Sequence, residues 1–162
     1  NIHVGYDDSN IFFGDFTIGR YDIRAWRNST VSIGKRTTSN GVKIVCDNSG
    51  FSCGEDCMFS DNVLVQAADQ HGIVDLALGK IVNDSYKSVS LGDHVWLGRK
   101  CTLTSSAEVG DGSVVGVSSV VAGKVSKNVI VAGNPARVIK ENHTWCRSPV
   151  ELDYYSKSHV EV

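Results

Sequence analysis

The chain has 162 residues, 41% hydrophobic and 21% charged, with 16 Lys and Arg against 18 Asp and Glu for a formal net charge of −2. That length suits one domain with a continuous core, and the balanced charge argues against nucleic acid or an anionic membrane surface as partner. No run has the length of a membrane-spanning helix or the layout of a signal peptide, so the expectation is a cytoplasmic protein without membrane insertion.

The first fifty residues carry apolar–glycine pairs at uneven spacing: Val4-Gly5, Phe13-Gly14, Ile18-Gly19 and Ile33-Gly34. These predict imperfect early turns of a repeat, with Asn40-Gly41 as an inserted corner. A clean period of six then starts at Cys53 and runs through Phe59 and Val65, breaks at His71, and resumes as Leu91, Leu97, Leu103, Val109, Val115 and Val121. Gly92, Gly98, Gly110 and Gly116 follow four of these. With 16 glycines in the chain, six random positions would hold fewer than one, so the glycines are part of the register. Four residues after each aliphatic stands a small or β-branched residue: Val95, Cys101, Ala107, Ser113, Ser119, Val125.

Six matches neither the helical period nor plain strand alternation, and it predicts short strands joined by identical corners. Three hexads close one coil of about 18 residues, and coils stack at about 4.8 Å as a parallel β-helix. The periodic aliphatics point inward, and the glycines relieve a clash at the corner. Five cysteines make an odd count, against a disulfide framework. Cys53 and Cys57 fall on inward positions of one hexad, which makes them packing residues and not metal ligands.

Residues 71–90 lack hexads and are predicted to protrude as a loop, the usual place for function on a rigid scaffold. The expected division is therefore a β-helix over residues 1–136 carrying that loop, and a tail over 137–162 with some helix. The tail would cover the open end, with Trp145, Tyr154 and Tyr155 packing there. His71 stands where the loop leaves the scaffold, two residues after Asp69, so a carboxylate could orient an imidazole that acts as a general base near neutral pH. Position alone leaves open the alternative of a loop histidine paired with a neighbouring acid.

Asp69-Gln70-His71, Asp93-His94-Val95-Trp96-Leu97-Gly98 and Gly133-Asn134-Pro135-Ala136-Arg137, in that order, resemble motifs of the hexapeptide-repeat acyltransferases, in their sugar O-acetyltransferase and xenobiotic acetyltransferase branch. The resemblance implies a left-handed coil and direct acetyl transfer from acetyl-CoA to a hydroxyl of a sugar or polysaccharide building block. It further implies a homotrimer with active sites between subunits. It makes His71 the base, with Asp69 or Asp75 holding its tautomer, and Trp96 a residue lining the acceptor site or donating to the oxyanion. His94 is the alternative base. Gly98, Val117, Ser118, Ala122 and Gly123 fall along the cofactor groove, and Arg137 and Lys140 where the family binds phosphates.

Two departures stand out: Val117-Ser118-Ser119 replaces the usual alanine-glycine-serine, and the proline normally found near Lys127 is absent. An amino-sugar N-acetyltransferase, an antibiotic acetyltransferase and a non-catalytic β-helix module are the alternatives. A γ-type carbonic anhydrase would need three zinc-binding histidines, and none of the five here are paired on one coil.

Overall fold

The computed structural model describes residues 1–6 and 8–160. It is nearly all β, built from parallel strands wound into a three-faced prism. The first face stacks Asn10–Phe13, Thr30–Ile33, Ser49–Cys53, Lys87–Leu91, Glu108–Val109 and Lys124–Val125 in six parallel rungs. The second holds Met58–Phe59, Trp96–Leu97, Val114–Val115 and Val129–Gly133. The third holds Ile2–Val4, Val63–Gln66, Thr102–Thr104 and Val120–Val121. Ile18–Trp26 and Thr38–Asp47 run round one corner and join the second and third faces into a single eleven-stranded sheet.

The early coils are more regular than the hexads suggest. Phe13, Ile33 and Cys53 align on one face at intervals of twenty residues, then Leu91, Val109 and Val125 continue the same column. Each early coil thus holds two residues more than three hexads. They are absorbed at the corner between the third and first faces, where Ile23 to Ile33 and Ile44 to Cys53 span ten and nine residues, while the corner near Gly19 and Gly41, where the register between the two long strands shifts, is shorter than a hexad.

Ile23, Ile44, Val65, Leu103 and Leu97 fill the interior at 0% exposure, each stabilising the fold by about 1.5–3 kcal/mol relative to an exposed side chain. Phe51 and Phe59 meet edge-on with centroids 6.4 Å apart. Cys53, Cys57 and Cys101 point into this core. Burial pushes the Cys101 thiol up to about 12, which removes it as a nucleophile near neutral pH.

The hexad glycines owe their place to the neighbouring coil and not to the turn. A Cβ at Gly98 would lie 2.6 Å from Val115 O, and one at Gly110 2.6 Å from Lys127 N. The left-handed conformation that makes the corner belongs to other residues: Phe16, Arg36, Asp56, His94, Gly112 and Asn128 have φ between 52° and 68° and stack in one column between the first and second faces.

The tail follows that column, which corrects the expectation of a helical lid over the open end. The open end is closed by Ala136–Glu141, which pairs antiparallel with Val129–Gly133. Beyond it the chain descends the corner rung by rung. His143 N donates to Asn128 O at 2.9 Å, Thr144 Oγ1 to Gly112 O at 2.8 Å and Trp145 Nε1 to His94 O at 2.7 Å. Arg147 then reaches Asp56. Corner residues turn their carbonyls outward, and a chain rich in donors satisfies them better than an end cap would. The only helical element among the described residues is the 3₁₀ turn Ser156–His159. Trp145 is buried, as expected of packing, whereas Tyr154 is 83% exposed and Tyr155 lies under Arg36, 4.7 Å from its guanidinium.

Candidate active site

Strand Val63–Gln66 on the third face and Lys87–Leu91 on the first are separated by a corner excursion of twenty residues. The excursion closes four residues earlier than the hexads indicate, because Lys87, Ser88 and Val89 already pair with Ser49, Gly50 and Phe51. Its tip is a small antiparallel hairpin, Val74–Asp75 with Lys80–Ile81. Asp75 caps that hairpin, accepting from Ala77 N at 2.8 Å and Leu78 N at 2.9 Å, so its carboxylate is committed to the turn.

His71 lies exposed at the base of the excursion, beside a cleft of about 140 Å³ lined also by Arg27, Asp47, Asp69, Asn83 and Lys87. Asp69 and His71 share this cleft, but the Asp69 carboxylate accepts from Asn83 Nδ2 at 2.9 Å and pairs with Lys87 Nζ at 3.7 Å. Among the described residues no carboxylate touches the His71 ring, so neither Asp69 nor Asp75 sets its tautomer here.

Trp96 stands on the second face, away from the corner that carries His71. It is half-buried, and its indole N–H donates to Ser60 Oγ at 3.2 Å. The remaining predicted residues divide between two edges. Ala122 and Gly123 lie exposed on the His71 edge, with nothing within 4 Å of a Cβ at Gly123. Val117 and Ser118 lie exposed on the next edge, while Gly98 there is buried and its N–H donates to Val115 O at 2.8 Å. Arg137 and Lys140 are exposed on the closing strand, and neither has an ion-pair partner among the described residues.

His94 is not the outward base the hexad frame suggests. It is fully buried, with Nδ1 2.7 Å from Asp56 Oδ2 and Nε2 2.9 Å from Trp145 O. Its ring is sandwiched between Trp145 and His159, both with centroids 4.2 Å away. An imidazole so enclosed cannot reach an acceptor.

No protein-family model matches the chain. A polysialic acid O-acetyltransferase of Escherichia coli O1:K1 / APEC is 38% identical over 128 residues, 78% of this chain and 41% of that protein. The galactoside O-acetyltransferase of Escherichia coli K12 is 27% identical over 132 residues, 82% of this chain and 64% of its own length. Among solved structures, the polySia-specific acetyltransferase NeuO superposes with a TM-score of 0.80 at 26% identity, covering 98% of this chain and 96% of that one. The chain shares its fold with the hexapeptide-repeat acetyltransferases, one of which, from Vibrio cholerae O1 biovar eltor, superposes with a TM-score of 0.57 at 17% identity, covering 80% of this chain and 70% of that one. It spans less than two thirds of the length of these two sequence relatives.

Two features of the molecule escape the hexad reading. Asn83, on the returning arm of the excursion, bonds to three groups of the Asp69–Ile73 segment. An asparagine in an aperiodic loop carries no pattern by which to find it. The Asp56–His94–Arg147 cluster joins positions on three separate stretches of chain. Its one local sign is a charged residue at the left-handed corner position, and that sign is shared by Arg36.

Proposed function

We propose that the protein is an acetyl-CoA-dependent O-acetyltransferase acting on a hydroxyl of a saccharide chain, on a left-handed coil and by direct transfer. The observation that carries this reading is the structural match over 98% of this chain to a polySia-specific acetyltransferase, with an exposed histidine at the base of a corner excursion over a small polar cleft. His71 takes the proton of the acceptor hydroxyl as the oxygen attacks the thioester carbonyl. The C–S bond then breaks and the proton passes to the departing thiolate. The cysteines on the hexad frame face the core, so no acyl-enzyme through them is needed.

A homotrimer fits this chemistry. His71 and Trp96 lie on different sides of one prism, so a site that uses both takes them from two copies. Trp96 would then leave Ser60 to line the acceptor or donate to the oxyanion. Leu76 and Leu78 on the excursion are 93% and 62% exposed, which suits burial against a neighbouring prism. Acetyl-CoA would lie in the groove between prisms, along the exposed Val117, Ser118, Ala122 and Gly123. The exposed Arg137 and Lys140 would take its phosphates. Use of a CoA thioester fits a cytoplasmic place of action, and no described helix is long and apolar enough to cross a membrane.

The test is thiol release from acetyl-CoA across a panel of polysialic acid, galactosides, amino sugars and chloramphenicol. Release with polysialic acid or a galactoside supports the reading. Release with the amino sugars alone would replace it with N-acetylation, release with chloramphenicol alone would replace it with an antibiotic acetyltransferase, and CoA binding without turnover on any acceptor would make the chain a binding module.

A further inference from the structure

Among the described residues the His71 ring has no carboxylate partner, yet a general base has to be held within a fraction of an ångström of its proton donor. The geometry points to Asn83 as the positioning residue for His71, an inference that rests on His71 being the base. Asn83 uses its whole amide. Nδ2 donates to Asp69 Oδ2 and to the His71 carbonyl, both at 2.9 Å, and Oδ1 accepts from Ile73 N at 2.7 Å. The two backbone contacts bracket Gly72 and fix the peptide planes on either side of its Cα, the first of them the peptide that leaves His71, and the third ties the Asp69 side chain two residues before His71.

The preceding residue adds a reason for a clamp. Gln70 sits at φ 63°, in the left-handed region that a non-glycine side chain adopts at a cost, so the entry to His71 needs support from outside the segment. The returning arm supplies it, and Lys87 Nζ pairs with the same Asp69 oxygen at 3.7 Å. The chemistry is specific to an asparagine: aspartate has the same shape but no donor, serine is too short for three contacts, and glutamine moves the amide by one methylene.

Asn83→Asp keeps the acceptor for Ile73 N, removes both donors and faces Asp69 with a second carboxylate. It is expected to lower kcat with the best acceptor of the panel on the order of 10²-fold, the scale of a 1 Å misplacement. The KM for acetyl-CoA and the thermal midpoint should stay near wild type, since the arm is peripheral to the core. Asn83→Ala should behave alike and guards against an effect of the added charge. The decisive comparison is made in a His71→Ala background, where Asn83→Asp should cause no further loss because it acts through the missing ring. An equal loss in both backgrounds, or wild-type turnover in both Asn83 variants, would overturn the assignment.

Amide hydrogen exchange at Ile73 gives a readout that needs no turnover. It should quicken at least tenfold in Asn83→Ala, and unchanged exchange would mean the bracket does not hold the segment. If His71→Ala keeps full turnover while Ile73 exchange quickens, it is the reading of His71 as base that fails, and not the bracket.

Discussion

The Asp56 carboxylate lies 2.7 Å from Nδ1 of His94, and its other oxygen accepts from Arg147 Nε at 3.1 Å and Nη2 at 2.9 Å. Asp56 and His94 come from adjacent coils of one corner, whereas Arg147 comes from the tail. Their meeting is what fastens the tail to the prism. Asp56 is only 5% exposed, so its removal leaves the Arg147 guanidinium and the His94 ring short of an acceptor at the same time. Loss of one partner from a buried pair costs about 3–5 kcal/mol. Asp56→Ala should lower the urea midpoint accordingly and free the tail to limited proteolysis; a midpoint within experimental error of wild type would mean that the cluster adds nothing to the fold.

The same cluster gives the tail a pH dependence of defined sign. Burial pushes the Asp56 carboxyl up, but the bonds from His94 and Arg147 outweigh it and hold the group below its ordinary value. Its stabilisation is therefore complete above the unfolded carboxylate value of about 4 and is lost as pH falls through the lower folded value. His159 is lowered as well, by burial first and by the neighbouring His94 second. A depressed histidine likewise contributes above its unfolded value of about 6.5 and loses that contribution on acidification. The indole N–H signal of Trp145, which reports its bond to His94 O, should begin to shift below about pH 6.5 and collapse under acid. His159→Phe, which keeps a ring on His94, should abolish the first step and leave the second. A signal unchanged down to pH 4 in the wild type would refute the first step.

The parts of the molecule legible in the sequence are those where one physical demand repeats. Leu97, Leu103, Val109 and Val115 face the same interior under the same coil above, so a period of six is enough to place them. Phe13, Ile33 and Cys53 obey the same demand at twenty residues, a length that spoils the hexad but not the coil. The place of His71 at the foot of the excursion is legible for the opposite reason, as the point where the pattern ends. What stayed hidden depends on single, non-repeating contacts. The hexad frame puts His94 on a corner and therefore outside, and nothing local to it signals that Trp145 and His159 will close over it from fifty and more residues away. Asn83 likewise acquires its meaning only when the two arms of the excursion lie side by side.

For the cofactor, Arg137 and Lys140 are one bonded strand apart from the prism's last rung, opposite Ala132 and Ile130. Both are exposed, so their loss should leave the fold intact. A charged hydrogen bond to phosphate contributes about 1.5–3 kcal/mol, which corresponds to roughly a ten- to hundredfold weaker acetyl-CoA for Arg137→Ala or Lys140→Ala by calorimetry. Dephospho-CoA should be bound almost equally by the variants and the wild type. Parallel losses for both ligands would remove these residues from the 3′-phosphate.

The histidines separate catalysis from architecture. His71 is exposed beside the cleft, makes no ring contact with a carboxylate among the described residues and is far from the core, so His71→Ala should leave the thermal midpoint and acetyl-CoA affinity unchanged. If it is the base, turnover should fall roughly 10²–10⁴-fold. His94→Ala should do the reverse in kind: it empties a fully buried site between two rings and strands the Asp56 carboxylate with Arg147 alone. It should lower the midpoint steeply, and any loss of turnover should recover under conditions that restore folding. Near wild-type turnover in His71→Ala, together with a folded but inactive His94→Ala, would reverse the two roles. It would require the tail to lift from the corner before His94 could meet an acceptor, which limited proteolysis of the resting protein would then detect between residues 142 and 155.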